Sequence, residues 1–491
     1  MRSRVRLKVW VQQVKLIHFP FSRDTVMHAC QEQGICTNNA DARVSHPRWS
    51  PFASVATVFV VLILVAPLAA QPRAADRPNI VFILADDLGW HDIGYHQSDV
   101  MTPHIDRLAA GGIRLNQHYV YPVCSPTRVG FLTGRGPSRF GVLTPLGDKK
   151  VLPHDLLTLP RGLQRAGYST HISGKWHIGA EPDARPLHYG FDTTYGYLRG
   201  QVDPYTHRYK NGDRTWHRND KLIEEEGHVT DLITNEAVRI IGLRHAKPFF
   251  LYVAYSVPHY PLNEPRRWTD PYKGKIHDVW RARFAASISH MDDGVGKIVA
   301  ALNASGLRSR TLIVFTSDNG GQKSWDAPAT QYDGRYKPHT TLGNNQPLRG
   351  WKGDVYEGGI RVPALVNWPG HVAAGAIEKT PITILDWMPT FFALAGFRAP
   401  ADAELEGVDV WPLLTQKASL APRELYWHAP RRLALRRGDW KIVTDVKFQH
   451  NEPFNLAEDP NESRNLTGTE PARVTRMVEG LKRQLQRDPV K

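Results

Sequence analysis

Cys124 stands in the most informative surroundings of the three cysteines in this 491-residue chain. Pro126 and Arg128 follow it, at the start of an apolar run. Proline is well suited to the first turn of a helix, so the pattern predicts that Cys124 lies at a helix N-terminus. Free amides and the helix dipole favour an anion there, and an arginine one turn further on can bind an oxyanion with its fork of N–H groups. The segment therefore predicts an anion site centred on a cysteine.

Two polar pairs each follow a short β-branched run that is typical of a buried strand. The first pair is Asp86-Asp87 and the second is Asp318-Asn319. In parallel α/β sheets, ligands bind beyond the carboxyl ends of the strands. Adjacent carboxylates repel each other unless a cation lies between them. Because these are hard oxygen donors without a cysteine or histidine cluster, they favour calcium over zinc, with magnesium as the alternative.

Two lysines and two histidines lie in blocks that contain glycine or proline. Lys175 and His177 belong to GKWHIG, His259 belongs to VPHYP, and Lys352 belongs to RGWKGD. Each histidine follows a strand candidate, which predicts that both lie at the same sheet edge as the acidic pairs. We interpret the other polar candidates as residues of helix faces, loops or core: Asp203, His104, His118, His207, His290 and the pair Asp292-Asp293, the last as a solvated helix face.

These residues are distributed through alternating strand-like and helix-like segments, which predict an α/β domain with a mostly parallel sheet. The strand candidates are 79–85, 168–173, 248–256, 311–317 and 362–368. The helix candidates are 102–112, capped by Thr102, and 281–306, closed by Gly306. Residues 322–350 are rich in Gly, Pro, Asn and Gln and predict a long functional loop in which Trp325 helps to shape specificity. Beyond about residue 400 the pattern predicts a small antiparallel sheet with one helix.

The apolar, uncharged run 52–70 follows basic residues and resembles a secretory signal, with a retained membrane anchor as the alternative. In both cases the positive flank stays inside and the main domain is exported, to the periplasm or the exterior. We therefore divide the chain into an N-terminal extension (1–71), a catalytic domain (72–400) and a C-terminal subdomain (401–491). After cleavage Cys124 would be the only cysteine, which predicts no internal disulfide.

The net charge of +14 favours a polyanionic partner. The chain has no dense Lys/Arg run with interleaved aromatic residues, so we do not expect nucleic acid binding. A sulfated glycan fits the charge equally well, and the charge alone does not choose between partners.

The run C-S-P-T-R followed by F-L-T-G-R, at 124–135, resembles the signature of the sulfatase family, in which the cysteine is oxidised to formylglycine. Similar blocks follow in the family's order at 174–179, 252–261, 315–321 and 347–363, within a resemblance that spans residues 78 to about 466. It is closest to the arylsulfatase B group, which includes N-acetylgalactosamine-4-sulfatases. It implies an alkaline-phosphatase-like fold with a smaller C-terminal subdomain.

The resemblance also implies roles for the candidates. The metal ligands would be the four residues of the acidic pairs, with the modified Cys124 beside them. Arg128 would fix the aldehyde hydrate, and the sulfate pocket would be lined by Lys175, His177, His259 and Lys352. A formylglycine-generating enzyme would convert Cys124 to 3-oxoalanine (formylglycine).

The implied reaction is hydrolysis of a sulfate ester of a carbohydrate or an aryl alcohol. One hydroxyl of the hydrated aldehyde would attack sulfur, with Asp318 as base, and His259 would protonate the leaving oxygen. His177 would then take the proton of the second hydroxyl. Two alternatives stay open: a phosphate or phosphonate ester hydrolase on the same fold, and a non-catalytic protein that binds sulfated glycans. A lysosomal location would apply only in a eukaryote.

Overall fold

The computed structural model describes residues 77–210, 212–325, 330–339 and 343–489. The apolar run 52–70 lies outside the described residues, and so do the first two cysteines. The prediction of a signal or an anchor therefore stays a prediction. Among the residues that are described, no helix is both long and apolar enough to cross a membrane.

Strands and helices alternate through the first part of the chain, and strands dominate the last part. The strands are β1 (Asn79–Asp86), β2 (Ile113–Leu115), β3 (His118–Tyr119), β4 (Ser169–Lys175), β5 (Thr193–Tyr197), β6 (Arg208–Tyr209), β7 (Asp213–Arg214), β8 (Trp216–Arg218), β9 (Lys221–Leu222), β10 (Phe249–Pro258), β11 (Thr311–Ser317), β12 (Arg361–Val362), β13 (Ala364–Asn367), β14 (Ala376–Glu378), β15 (Ile382–Thr383), β16 (Glu424–Ala429), β17 (Arg432–Arg437), β18 (Trp440–Asp445) and β19 (Glu452–Asn455). The helices are α1 (Pro103–Ala110), α2 (Cys124–Thr133), α3 (Leu159–Arg165), α4 (Val229–Ile241), α5 (Arg266–Thr269), α6 (Val279–Ala304), α7 (Glu357–Ile360), α8 (Trp387–Ala395), α9 (Trp411–Gln416) and α10 (Pro471–Leu485).

Within the described residues, ten strands form the central sheet, in the order β14-β2-β13-β11-β1-β10-β4-β5-β8-β9. The strands from β11 to β5 run parallel to one another, whereas β13 and β8 pair antiparallel at the two sides of this block. Strands β1, β10 and β11 are buried along their whole length, as expected for parallel strands covered on both faces. The strand predicted at 362–368 is therefore correct in place but antiparallel to its neighbour β11.

Helices cover both faces of the sheet because alternate strand residues point to opposite sides. Ile80, Phe82 and Leu84 pack in a core with residues of α2, α3 and α8. Val81 and Ile83 pack on the other face, with residues of α1, α4 and α6. The carboxyl ends of β1, β4, β10 and β11 therefore reach one common edge between the two helical layers, as the sequence predicts.

The C-terminal part is a four-stranded antiparallel sheet, β16-β17-β18-β19, with α10 packed on it. Leu433, Leu435 and Ile442 pack with Met477 and Leu481 of α10 in a small separate core. This confirms the predicted sheet-plus-helix subdomain.

Two predictions about α1 and α6 need correction. Asp292 is not on a solvated face: it is 2% exposed, and its carboxylate accepts from the amides of His104 and Ile105 in the first turn of α1. Thr102 does stand at the N-cap position of α1, but its hydroxyl accepts from the amide of Gly94 and does not cap the helix. A carboxylate from a helix far along the chain caps α1 instead, and a local pattern does not reveal it.

Candidate functional site

The acidic pairs lie at the common carboxyl edge of the parallel strands. Asp86 is the last residue of β1, and Asp87 follows with a φ of 73°, a left-handed conformation that is uncommon for a residue other than glycine. Asp318 and Asn319 directly follow β11, the neighbour of β1. The amide of Asp87 donates to Asp318 Oδ1 at 3.2 Å, and Asn319 Nδ2 donates to Asp87 Oδ1 at 2.8 Å. The structure thus brings the two predicted pairs together.

Cys124 begins α2, as predicted, and is buried beside the acidic pairs. Its Sγ, the Asp86 carboxylate and the Asp318 carboxylate each offer a ligand atom, and these atoms lie within 4.8 Å of one another. Burial raises the pKa of the thiol. A thiol held protonated in this way is a weak nucleophile, because the thiolate is the reactive form. The unmodified thiol of Cys124 is therefore a poor candidate for the nucleophile of this site.

His177 lies against Cys124, with its Nδ1 3.1 Å from Sγ. The loop that carries His177 is held by Ser125, whose hydroxyl donates to the His177 carbonyl at 2.9 Å. His177 also has a positive φ, of 59°. Gly200 packs on the ring so closely that a Cβ at this position would lie 2.6 Å from His177 Nε2. Burial, followed by the charge of Lys175, lowers the pKa of His177 well below its ordinary value, so the ring is neutral.

Each buried cation of the site pairs with one carboxylate. Lys175 Nζ lies 2.6 Å from Asp86 Oδ2, and Lys352 Nζ lies 2.7 Å from Asp87 Oδ1. Lys175 is fully buried, whereas the side chain of Lys352 is 14% exposed. Lys352 is therefore the more exposed of the two lysines.

The predicted role of Arg128 is to fix the aldehyde hydrate, and in the structure its guanidinium contacts Asp318, Lys175 and Tyr252. Its Nε and Nη2 donate to Asp318 Oδ2 at 3.1 and 2.7 Å, and its Nη1 donates to the Lys175 carbonyl and the Tyr252 hydroxyl. These bonds orient Asp318 and hold the end of β4. Tyr252 was not among the predicted site residues, although it is the first residue of the sulfatase-like block 252–261. A direct contact of Arg128 with an aldehyde hydrate stays a prediction.

His259 directly follows β10, and its Nε2 lies 3.9 Å from Asp87 Oδ2. Its Nδ1 lies 2.5 Å from the Tyr260 carbonyl, which can only accept. Nδ1 therefore carries the hydrogen, and Nε2 points to the site as the free ring nitrogen. Burial lowers the pKa of His259 well below its ordinary value, and Lys352 adds to the effect.

The buried oxygens of the acidic pairs indicate whether these residues fit a cation. Asp86 Oδ1 and Asn319 Oδ1 are both buried, and neither has a hydrogen-bond donor among the described residues. Burial, followed by the charges of Asp318 and Asp87, raises the pKa of Asp86 to about 8. Burial opposes ionisation of Asp87, but Lys352 and His259, with the hydrogen bond from Asn319, together outweigh it and lower that pKa to about 2. Buried oxygens without donors are costly, and a divalent cation supplies what they lack. The residues fit calcium or magnesium.

The predicted functional loop borders the site. Trp325 and His339 pair through two backbone hydrogen bonds, and the Trp325 ring meets the His259 ring edge-on with centroids 6.1 Å apart. Tyr336 donates to Asp203 Oδ2 at 2.9 Å, and Arg335 lies 3.1 Å from the same atom. Asp203 is thus a loop residue, as predicted, but it is buried and holds a second loop. No sequence signal indicated this contact, because its partners are distant in the chain.

Family comparisons match both parts of the chain. The family model described as Sulfatase matches residues 78–397, and the one described as N-sulphoglucosamine sulphohydrolase, C-terminal, matches residues 350–491. Arylsulfatase J of Mus musculus is 32% identical over 479 residues, which cover 84% of this chain and 76% of that protein. N-acetylgalactosamine-6-sulfatase of Rattus norvegicus is 34% identical over 436 residues, which cover 84% and 79%.

Solved structures show the same fold. Ps i-CgsB in complex with k-i-k-neocarrahexaose superimposes with a TM-score of 0.75 and 32% identity, over 84% of this chain and 94% of that one. The PsFucS1 sulfatase from Pseudoalteromonas sp. gives a TM-score of 0.70 at 24% identity, over 85% and 92%, a likeness of fold alone. The predicted fold, a mostly parallel sheet with a small antiparallel subdomain, is confirmed.

Proposed function

The chain belongs to the sulfatase family and is a sulfuric ester hydrolase, and from that premise we propose that it removes sulfate from a sulfated carbohydrate, with formylglycine at position 124 and a bound calcium ion. The names of two relatives support the substrate class. One is an N-acetylgalactosamine-6-sulfatase, and the other was solved with a neocarrahexaose. Magnesium is the alternative to calcium.

The observation that best supports the proposal is the position of Cys124 Sγ. It lies at the N-terminus of α2, 3.1 Å from His177 Nδ1 and within 4.8 Å of the Asp86 and Asp318 carboxylates. After conversion to formylglycine, this position would hold a hydroxyl oxygen of the hydrated aldehyde. The aldehyde would supply two hydroxyls on one carbon, one as nucleophile and one to release the sulfate. A protonated, buried thiol offers neither.

The cation would be held by side-chain oxygens of Asp86, Asp87, Asp318 and Asn319. Two of these oxygens, Asp86 Oδ1 and Asn319 Oδ1, have no hydrogen-bond donor among the described residues. It would supply positive charge next to the sulfate oxygens and next to the nucleophile. The chain's own cations act with it. Lys352, the more exposed of the two lysines, and the buried Lys175 would stabilise charge on the sulfate oxygens as the ester bond breaks.

Three residues would move protons. Among the described residues, Asp318 Oδ1 accepts one bond, from the Asp87 amide at 3.2 Å, whereas Oδ2 accepts two bonds from Arg128, so Oδ1 would act as the base. His259 presents Nε2 to the site. Burial and the charge of Lys352 disfavour a proton on this ring, and the negative charge of the bound sulfate ester would offset them. Nε2 would then carry a proton and give it to the leaving oxygen. His177 is neutral with Nδ1 facing residue 124, so it would accept the proton of the second hydroxyl.

The proposal extends to maturation and location. A formylglycine-generating enzyme would modify Cys124 during export to the periplasm or the exterior. Residues 1–71 would direct this export, as a signal or as an anchor. Residues 72–400 would form the catalytic domain and residues 401–491 the C-terminal subdomain.

Peptide mass spectrometry over residues 115–135 tests the proposal on protein from a host that carries the modifying enzyme. We expect a peptide with the lower mass of formylglycine, and a loss of sulfatase activity on chelation that calcium restores. Activity on a phosphate ester of the same alcohol serves as the comparison. Unmodified cysteine in fully active protein, or a faster reaction with the phosphate ester, would contradict the proposal.

A further inference from the structure

A strongly basic segment is connected to His259 of the site through packed aromatic rings. We call residues 265–283 the basic strip; it carries six Lys/Arg and two Asp. Three of its basic side chains are committed elsewhere or paired locally: Arg267 with Asp231, Arg281 with Asp92 and Asp99, and Lys273 with Asp270. Within the described part of the chain, Arg266, Lys275 and Arg283 have no ion-pair partner, and all three are exposed.

A continuous series of ring contacts links the strip to His259 of the candidate site. From His259 the rings touch in the order Trp325, Tyr260, His339 and Trp280, and the last pair is stacked with centroids 3.7 Å apart. The Arg283 guanidinium lies 4.7 Å from the Trp280 ring centroid. An exposed cation is thereby held in a defined position relative to His259.

A cavity of about 370 Å³ opens along the strip. Lys273, His277 and Arg283 contribute its basic lining, and Asn263, four residues beyond His259 in the chain, contributes to its other side. The acidic groups beside it are occupied. Glu264 is bonded to His290 at 2.5 Å, and Asp278 caps α6 through the amides of Trp280 and Arg281. The volume lies in the range of ligand sites and suits a sugar unit.

We propose that the basic strip binds the anionic part of a sulfated oligosaccharide that extends beyond the sugar whose sulfate is removed. This inference rests on the proposed function. The occupant follows from charge complementarity and from the series of ring contacts that connects the strip to His259. Single-stranded nucleic acid would need exposed aromatic faces for base stacking, whereas the Trp280 ring is stacked on His339. The strip would therefore make the enzyme prefer longer sulfated chains to short ones.

The test compares kcat/KM for a sulfated hexasaccharide with kcat/KM for the disaccharide of the same chain. Chondroitin 6-sulfate and ι-carrageenan oligosaccharides provide two separate sources of the same chemistry. The variants are Arg283→Ala and the double variant Lys275→Ala/Arg283→Ala. The matched control is Arg310→Ala, an exposed arginine without an ion pair in the described residues, which precedes β11 at the opposite edge of the sheet.

We expect wild type to prefer the hexasaccharide, and Arg283→Ala to reduce the hexasaccharide-to-disaccharide ratio by about 2- to 5-fold, the usual effect of an exposed charge pair. The double variant should reduce it by about 10-fold, and less at high salt because exposed charges are screened. The control should keep the wild-type ratio. A wild-type ratio in the double variant would overturn the inference.

Failure of the proposed function gives a different result. If wild type cleaves 4-nitrophenyl sulfate but neither oligosaccharide, the proposed substrate class is wrong. Calorimetric titration of the same hexasaccharides into a Cys124→Ala protein then decides the inference by itself. The two proteins compared are Cys124→Ala and the same protein with the additional changes Lys275→Ala and Arg283→Ala. Weaker binding to the second protein supports binding by the basic strip. Binding of equal strength to both proteins, or to neither, overturns the inference.

Discussion

Lys441→Met is expected to lower the free energy of unfolding by about 3–5 kcal/mol at pH 8, the cost of leaving a buried charge without its partner. Lys441 Nζ lies 2.9 Å from Glu357 Oε1 and 2.8 Å from Glu462 Oε1, and all three side chains are fully buried. Glu462 Oε2 also accepts from the Glu357 amide at 2.6 Å. Without the ammonium, two carboxylates would face each other in the interior. Methionine fills a similar volume, so loss of packing contributes little.

The loss should depend on pH in a defined direction. Burial already raises the pKa of Glu462 to about 7, although Lys441 opposes it. For Glu357, burial is the largest single effect and raises the pKa, but Lys441, Arg361 and Arg436 together outweigh it and lower the pKa. Removing Lys441 raises the pKa of Glu462 further above that of the unfolded chain, and it raises the pKa of Glu357 from its lowered value. A carboxyl with a raised pKa destabilises the folded state as pH rises from its unfolded to its folded value. The variant should therefore lose less stability at pH 5 than at pH 8.

Urea unfolding at both pH values measures the effect. Lys447→Met is the matched control, because Lys447 is an exposed lysine just after β18, and its replacement should change stability by no more than about 0.5 kcal/mol. Glu357 lies five residues after Lys352, so the folded variant should also show an increased KM. A loss below about 1 kcal/mol at pH 8, or an equal loss at both pH values, would refute the assignment of Lys441 as the neutralising charge.

Two further substitutions test single contacts. Gly200→Ala should displace the His177 ring, because the new Cβ would lie 2.6 Å from Nε2. A general base usually contributes about 100-fold or more to the rate, so its displacement should lower kcat more than about 10-fold. Gly147→Ala is the control and should leave kcat unchanged, because no described atom lies within 4 Å of the new Cβ. Equal kcat values in the two variants would contradict this. Asp292→Ala should destabilise the fold by about 1–3 kcal/mol in thermal unfolding, because two amides of α1, one of them buried, lose their acceptor. Asp293→Ala, one residue on and partly exposed, should have little effect in that assay. Equal losses in the two aspartate variants would argue against the cap.

The part of the fold that positions the site was predictable from local patterns. Parallel strands buried on both faces read as continuous β-branched runs, and polar residues directly after such runs reach the same sheet edge. These two rules are sufficient to bring Asp86 and Asp318 together. The start of α2 at Cys124 follows from Pro126 in the first turn.

What the sequence did not reveal depends on contacts between distant segments. Arg128 donates to Asp318, which is 190 residues away in the chain. The amide of Ile105 in α1 donates to the capping carboxylate of Asp292, which is 187 residues away. The burial of Lys441 between two glutamates has the same character, since a lysine in an antiparallel strand is ordinarily solvated. The direction of β13 in the sheet also depends on the overall topology, because a short apolar run is the same in either orientation.

The central claim is that residue 124 carries the sulfate during turnover. Its most direct test is intact and peptide mass spectrometry of Cys124→Ser after incubation with 4-nitrophenyl sulfate. A serine lacks the second hydroxyl that releases sulfate, so the account predicts one SO₃ group that accumulates on the peptide 115–135, with little further turnover. A variant that turns over repeatedly at the wild-type rate, or that carries the SO₃ group on another peptide, would contradict it.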